Sequence, residues 1–178
     1  AASSAVHRLG ARGVAAPHRL FHNCSGKHSG MLRACVAQGW PLTYTDAAHP
    51  LQQTIREEVS LSTRESPDPM GVDGCGVPTF SGTVTGLATA FARLATDSAL
   101  APVAQAMSRF NPLTSDGDRA EAELARWLPA AVKGGAQGCI GVAWYGGLGV
   151  AAKCWSGQEA AAVVGVIVAL HRLGLLSG

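Results

Sequence analysis

The sequence predicts an α+β fold, with helices packed on an antiparallel sheet. Three observations carry this. Several segments repeat apolar residues at helical spacing, such as Leu51, Ile55 and Val59, or Val84, Leu87, Phe91 and Leu94. Near the C-terminus the period changes to two, over 138–145 and 148–154, on either side of Gly146-Gly147. That dipeptide is a two-residue turn signal for an antiparallel hairpin. Finally, 22 glycines and a hydrophobic fraction of 47% with only 6% aromatic residues describe small elements packed closely.

In chain order, residues 1–20 are rich in Ala, Ser and Arg and contain Pro17. They predict a mobile N-terminal segment with His7 and His18 solvated, and leave 21–178 as the domain proper. A helix is expected over His28–Gln38, stopped by Gly39. Trp40–Asp46 reads as a loop or short strand. Pro50 opens a second helix. Ser62–Met70 holds Pro67 and Pro69 and predicts a loop. Further helices are expected over Val84–Ala95, Ala101–Phe110 and Asp118–Leu128. In the second strand of the hairpin, Leu148, Val150 and Ala152 alternate with Gly149, Ala151 and Lys153, so Lys153 points away from the apolar set. Glu159–Arg172 closes the chain as a helix, with Gly174 as its stop.

Composition bounds the function. A chain of 178 residues makes one domain, or one and a fraction, and buries roughly 70% of its unfolded surface. The net charge of +2, with acids and bases interspersed, leaves no electrostatic footprint for nucleic acid or a membrane surface. The longest helix-like apolar run, Ala160–Leu170, is too short to span a bilayer. The first residues do not follow the charged-apolar-small pattern of a signal peptide. Five widely spread cysteines fit a cytoplasmic protein that uses thiols for metal or chemistry better than a disulfide scaffold. The chain begins at Ala1 rather than methionine, which predicts processing or a fragment. It carries no Walker or dinucleotide glycine fingerprint.

Two stretches concentrate reactive groups. His22-Asn23-Cys24-Ser25-Gly26-Lys27-His28-Ser29-Gly30-Met31 joins a thiol, an amine, two imidazoles and two hydroxyls at a loop-to-helix junction. Such a junction favours anions and thiolates. The chain has only three lysines, and Cys24 and Lys27 would share a helical face. Val72-Asp73-Gly74-Cys75-Gly76-Val77-Pro78-Thr79 again sets a cysteine between glycines, with a carboxylate two residues before it. On the residues alone, glycine-rich turns around structural cysteines explain both stretches as well as chemistry does.

Together, HNCSGKHSGM and DGCGVPTF resemble the bacterial L-asparaginase II family typified by the Rhizobium etli enzyme, in its C-terminal part only. A third segment agrees: Lys133-Gly-Gly-Ala-Gln-Gly-Cys139, then Gly147-Leu-Gly-Val-Ala-Ala-Lys153. The resemblance covers about Phe21 to Leu173. It departs over Pro112–Arg119 and after Lys153, where Cys154-Trp155-Ser156 replaces acidic residues. It implies a serine β-lactamase and penicillin-binding-protein-like fold, incomplete at the N-terminus. It implies hydrolysis of the side-chain amide of L-asparagine to aspartate and ammonia, with zinc held by Cys24, Lys27 and Cys75. Asp73 would stand behind the metal, and His28 and Cys139 would line the site. Lys153 would be the lysine partner of a family serine that has no counterpart in this chain. The implied partner is a small-molecule substrate, with neither nucleic acid nor membrane, and the family allows a homodimer.

A nucleophile beside a neutral lysine is what the amide hydrolysis needs. Little or no turnover is therefore expected of these 178 residues alone. Two other readings stand beside the enzyme: a non-catalytic zinc-binding remnant, and a hydrolase in which Cys24 of Cys24-x-x-Lys27 is the nucleophile. Lys133-Gly-Gly135 faintly matches the Lys-Thr-Gly of β-lactamases, a weak signal by itself. Cys35 and Cys154 are expected to be structural. The two cysteine motifs, residues 22–31 and 73–78, are far apart in sequence and are expected to meet in space with Lys153 nearby.

Overall fold

The computed structural model describes residues 22–115 and 119–177. The expected mobile segment 1–20 and residue Asp118 lie outside them. The described chain has helices and small antiparallel sheets, an α+β composition. It divides into two compact units: 22–59 with 67–81, and 60–66 with 82–177. None of its described helices is long and apolar enough to cross a membrane.

The first unit begins with helix α1, Ser25–Gln38. It starts three residues before the expected His28, because the His22 and Cys24 carbonyls accept the Ser25 and His28 N–H groups at 2.9 and 3.0 Å. Cys24 is thus the N-cap, and Lys27 and His28 sit in the first turns. At the far end Gly39 takes the left-handed conformation, φ +66, that closes a helix. Trp40–Asp46 is a loop without a strand. Buried His49 ties this loop down: its ring bonds the Pro41 carbonyl at 2.9 Å and accepts from the Leu51 N–H at 3.1 Å.

Helix α2, Pro50–Thr63, follows. It runs one residue past Ser62, so the expected Ser62–Met70 loop is shortened at both ends. Met70 opens strand β1, Met70–Val72, paired antiparallel with β2, Pro78–Phe80. This hairpin was not foreseen, since three-residue strands carry too little pattern to read. Its loop is fixed by Asp73, whose N–H bonds the Val77 carbonyl and whose carbonyl accepts from Gly76, both at 2.8 Å.

The second unit is built around a three-stranded sheet in the order β3 (Ala130–Gly135), β4 (Cys139–Trp144), β5 (Leu148–Lys153). One face carries Val132, Ile140, Val142 and Val150 against Leu124 and Leu128 and against Val163, Val166 and Leu170. Leu124 belongs to α6 (Ala120–Trp127), and the last three to α7 (Glu159–Arg172). The other face carries Ala131 and Ala143 against Ala104, Phe91 and Leu94. These come from α4 (Ala101–Arg109) and α3 (Val84–Thr96), with the short α5 (Asn111–Thr114) after them.

Alanine and glycine on this second face let α3 lie against the backbone. A Cβ on Gly149 would stand 1.9 Å from the Ala88 carbonyl oxygen, and one on Gly141 would stand 2.1 Å from the Phe91 ring. The helix α3 is capped by Thr83, whose Oγ1 accepts from the Gly86 N–H at 2.9 Å.

Two details depart from the sequence reading. Strand β3 was not foreseen, because Ala-Ala-Val-Lys-Gly-Gly has little strand propensity and is held by its full register with β4. The β4–β5 connection has three residues, Tyr145-Gly146-Gly147, rather than two, because Trp144 pairs with Leu148. Gly147 at φ +93 supplies the left-handed residue such loops require.

Candidate functional site

The start of α1 and the β1–β2 loop bring the two cysteine motifs together within the first unit. The Lys27 Nζ donates to Asp73 Oδ2 at 2.9 Å. The Cys75 Sγ donates to the same oxygen at 3.4 Å, and the Gly74 N–H donates to Asp73 Oδ1 at 2.8 Å. Donor atoms of Cys24, Asp73 and Cys75 all lie within 4.8 Å of one another. The Cys24 N–H in turn donates to His22 Nδ1 at 3.1 Å.

The electrostatics follow from this geometry. Desolvation raises the Cys24 thiol above its ordinary value, and its bond to Cys75 adds to the rise against the opposing Lys27 charge. Around Lys27, desolvation opposes the charge, but the bonds to Asp73 and Cys75 and their charges prevail, so the amine is held above its ordinary value. The Lys27 bond, with help from Gly74 and Cys75, lowers Asp73. At neutral pH the cluster is thus a protonated amine on a carboxylate, with the Cys24 thiol held toward its protonated form.

Two sulfurs and an oxygen at this spacing suit a tetrahedral metal with Zn–S near 2.3 Å. Cys24, Cys75 and either Asp73 or Lys27 could hold such an ion. Each thiol, and Lys27 if it ligates, must first lose its proton.

His28 is engaged elsewhere in the same unit. Its Nδ1 bonds the Tyr44 hydroxyl at 2.7 Å, with the two rings edge to face. Cys35 is fully buried on α1, in keeping with a structural role.

Cys139 and Lys153 belong to the second unit, where they face each other across β4 and β5. The side chain of Lys153 is exposed, as the alternation predicted, and its Nζ donates to the Gln137 and Cys154 carbonyls at 2.7 Å each.

On the same face of the sheet, opposite Gly141, stands Lys133. Loss of hydration around its amine lowers its pKa, against the pull of Glu121. Glu121 is itself buried, 3.0 Å from Arg119 Nε and packed over Gly134. The sequence offered for Lys133 only a faint β-lactamase-like match. Its signal was the Lys-Gly-Gly tripeptide, too common to weigh without the strand around it.

A protein-family model described as L-asparaginase II matches residues 2–178. No curated protein matches the chain.

Proposed function

From the premise that the chain belongs to the L-asparaginase II family, of asparaginase-type amidohydrolases, we propose that it serves the hydrolysis of the L-asparagine side-chain amide. The observation that carries this reading is the Cys24–Lys27–Asp73–Cys75 cluster, a preformed polar group inside the matched span. In this reading the protein is of the zinc-containing Rhizobium etli type, with Cys24, Cys75 and Lys27 as ligands and Asp73 behind them. The antiparallel β3–β4–β5 sheet with helices on both faces supports a serine β-lactamase-like architecture.

A zinc ion held there would supply a Lewis acid able to polarise the amide oxygen. The chain's own residues do the rest. Asp73 orients Lys27 and Cys75 by accepting from both, which fixes the donor set before a ligand arrives. His28, braced by Tyr44, presents an imidazole one turn further along α1.

A lysine acts as a base only when neutral. Of the two sheet lysines, Lys133 has its amine driven toward that form. Lys153 donates to the Gln137 and Cys154 carbonyls and is suited to holding the β5 terminus. By the family resemblance Lys153 is the family lysine, and Lys133, on the same sheet face, is a second candidate whose amine is shifted downward by loss of hydration. Cys24 is disfavoured as the nucleophile, because a raised thiol pKa leaves little thiolate at neutral pH.

The test combines zinc content and ammonia release from L-asparagine for wild type and Cys75→Ser. Zinc at one equivalent, with turnover that Cys75→Ser loses together with the metal, supports the reading. Zinc without turnover, the outcome expected of a chain with no counterpart of the family serine, supports the zinc site and fits a non-catalytic zinc module equally well. Neither zinc nor turnover sinks the proposal.

A further inference from the structure

In the second unit a cleft of about 500 Å³ opens between the end of α2, the outer face of α3 and the β4–β5 turn. Thr89, Arg93 and Thr96 recur on α3 at spacings of four and three and line one wall. Ser62 and Arg64 contribute from the end of α2, and Gly147 comes from the turn.

The charge of this cleft is one-sided. Its ionisable lining groups are Arg64 and Arg93, and no carboxylate lines it. Arg93 is fixed in place: its Nε bonds Asp97 at 3.3 Å and its Nη1 donates to Ser62 Oγ at 2.6 Å. A guanidinium anchored in this way loses little further side-chain freedom when it meets a ligand. Arg64 is exposed and makes no side-chain hydrogen bond or ion pair among the described residues. Both charged groups on the lining are thus cations, and they face a recess large enough for a molecule of several heavy atoms.

We infer that this cleft binds a small oxyanion, a carboxylate or a phosphate, engaged by Arg64 and Arg93. Planar guanidinium groups match both oxyanions through paired N–H donors. The site lies within the second unit and involves none of the residues of the Cys24–Cys75 cluster, so it stands or falls independently of the asparaginase reading.

The experiment is isothermal titration of the intact chain at low ionic strength with sodium succinate and, separately, with inorganic phosphate. Wild type is compared with Arg64→Ala, whose exposed site leaves folding intact, as a melting curve checks. The expected result is saturable binding of at least one probe, weakened about 10-fold or more in Arg64→Ala. It should also weaken as salt is raised. Binding of succinate alone assigns a carboxylate, and binding of phosphate alone assigns a phosphoryl group. Absence of saturable binding by either probe, or an Arg64→Ala variant that binds like wild type, overturns the proposal.

Discussion

In the second unit, two apolar clusters sandwich a sheet, and Val142, Val166 and Leu170 have no exposed surface at all. In the first unit the buried apolar residues among those described are Cys35, Leu51, Pro67, Val77 and Pro78, and no cluster of that kind joins them. Polar bonds do more there: His49 to Pro41, Gln52 to the Tyr44 carbonyl, Arg56 to Asp68 and Lys27 to Asp73. Dispersion and burial need many neighbours but little angular accuracy. Hydrogen bonds need few neighbours and fix direction. The difference teaches that a donor cluster can be oriented by a lightly packed unit, provided its backbone turns are bonded.

The largest loss of stability is expected from a cavity cut into the second unit. Leu170→Ala should cost about 2–5 kcal/mol, because the surrounding side chains collapse only in part. Chemical denaturation measures it, and a loss under 1 kcal/mol would mean the core is looser than its packing implies. Gly149→Ala comes next, at about 1–3 kcal/mol, since the added methyl group meets the Ala88 carbonyl and α3 must shift. An unchanged melting curve would show that α3 does not rest on β5 at this point.

Cys35→Ala, the corresponding change in the first unit, should cost about 1 kcal/mol, as fewer apolar partners are lost. Equality with Leu170→Ala would erase the contrast between the units. Cys75→Ser, at a partly exposed loop position, should change metal-free stability by no more than about 0.5 kcal/mol. A large loss of stability without metal would make Cys75 a packing residue rather than a donor.

The smallest effect is one of pH. The folded-state pKa of Asp73 is lowered, so its contribution is present above the unfolded value near 3.9 and is lost as pH falls through the folded value. The folded-state pKa of Lys27 is raised, so its contribution is present below about 10.4 and is lost as pH rises through the folded value. The ion pair therefore acts across a plateau of roughly pH 5 to 9. Both side chains are well exposed, at 39% and 46%, and solvent screens the pair. The wild-type melting temperature should exceed that of Asp73→Asn by a small, constant margin on the plateau, and by less in acid. A margin that grows in acid would contradict the pairing.

Much of the fold was legible because it rests on period. The α3 and α7 helices, the Gly39 stop and the alternation of Leu148, Val150 and Ala152 are local patterns that the packing then obeyed. Strand β3 was not legible, since alanine and glycine become strand residues only when β4 lies beside them. The meeting of Cys24 with Cys75 was legible through motif resemblance alone, because nothing local joins positions so far apart. The bond from Lys27 to Asp73 was not legible, and neither was the desolvated amine of Lys133. Each depends on which atoms surround a side chain, and spacing does not encode that.

Asp73 takes part in five bonds at once: its N–H to Val77, its carbonyl from Gly76, one carboxylate oxygen from Gly74 and the other from both Lys27 and Cys75. The loop and the donor cluster are consequently a single opening unit. In hydrogen exchange the amide protons of Asp73, Gly74 and Gly76 should be released at a common rate, set by one concerted event rather than three separate ones. An ion bound by Cys75 would close that event, slowing all three protons by the same factor while leaving those of α7 unchanged. The three amides would then serve as a built-in reporter of occupancy, readable without any assay of turnover.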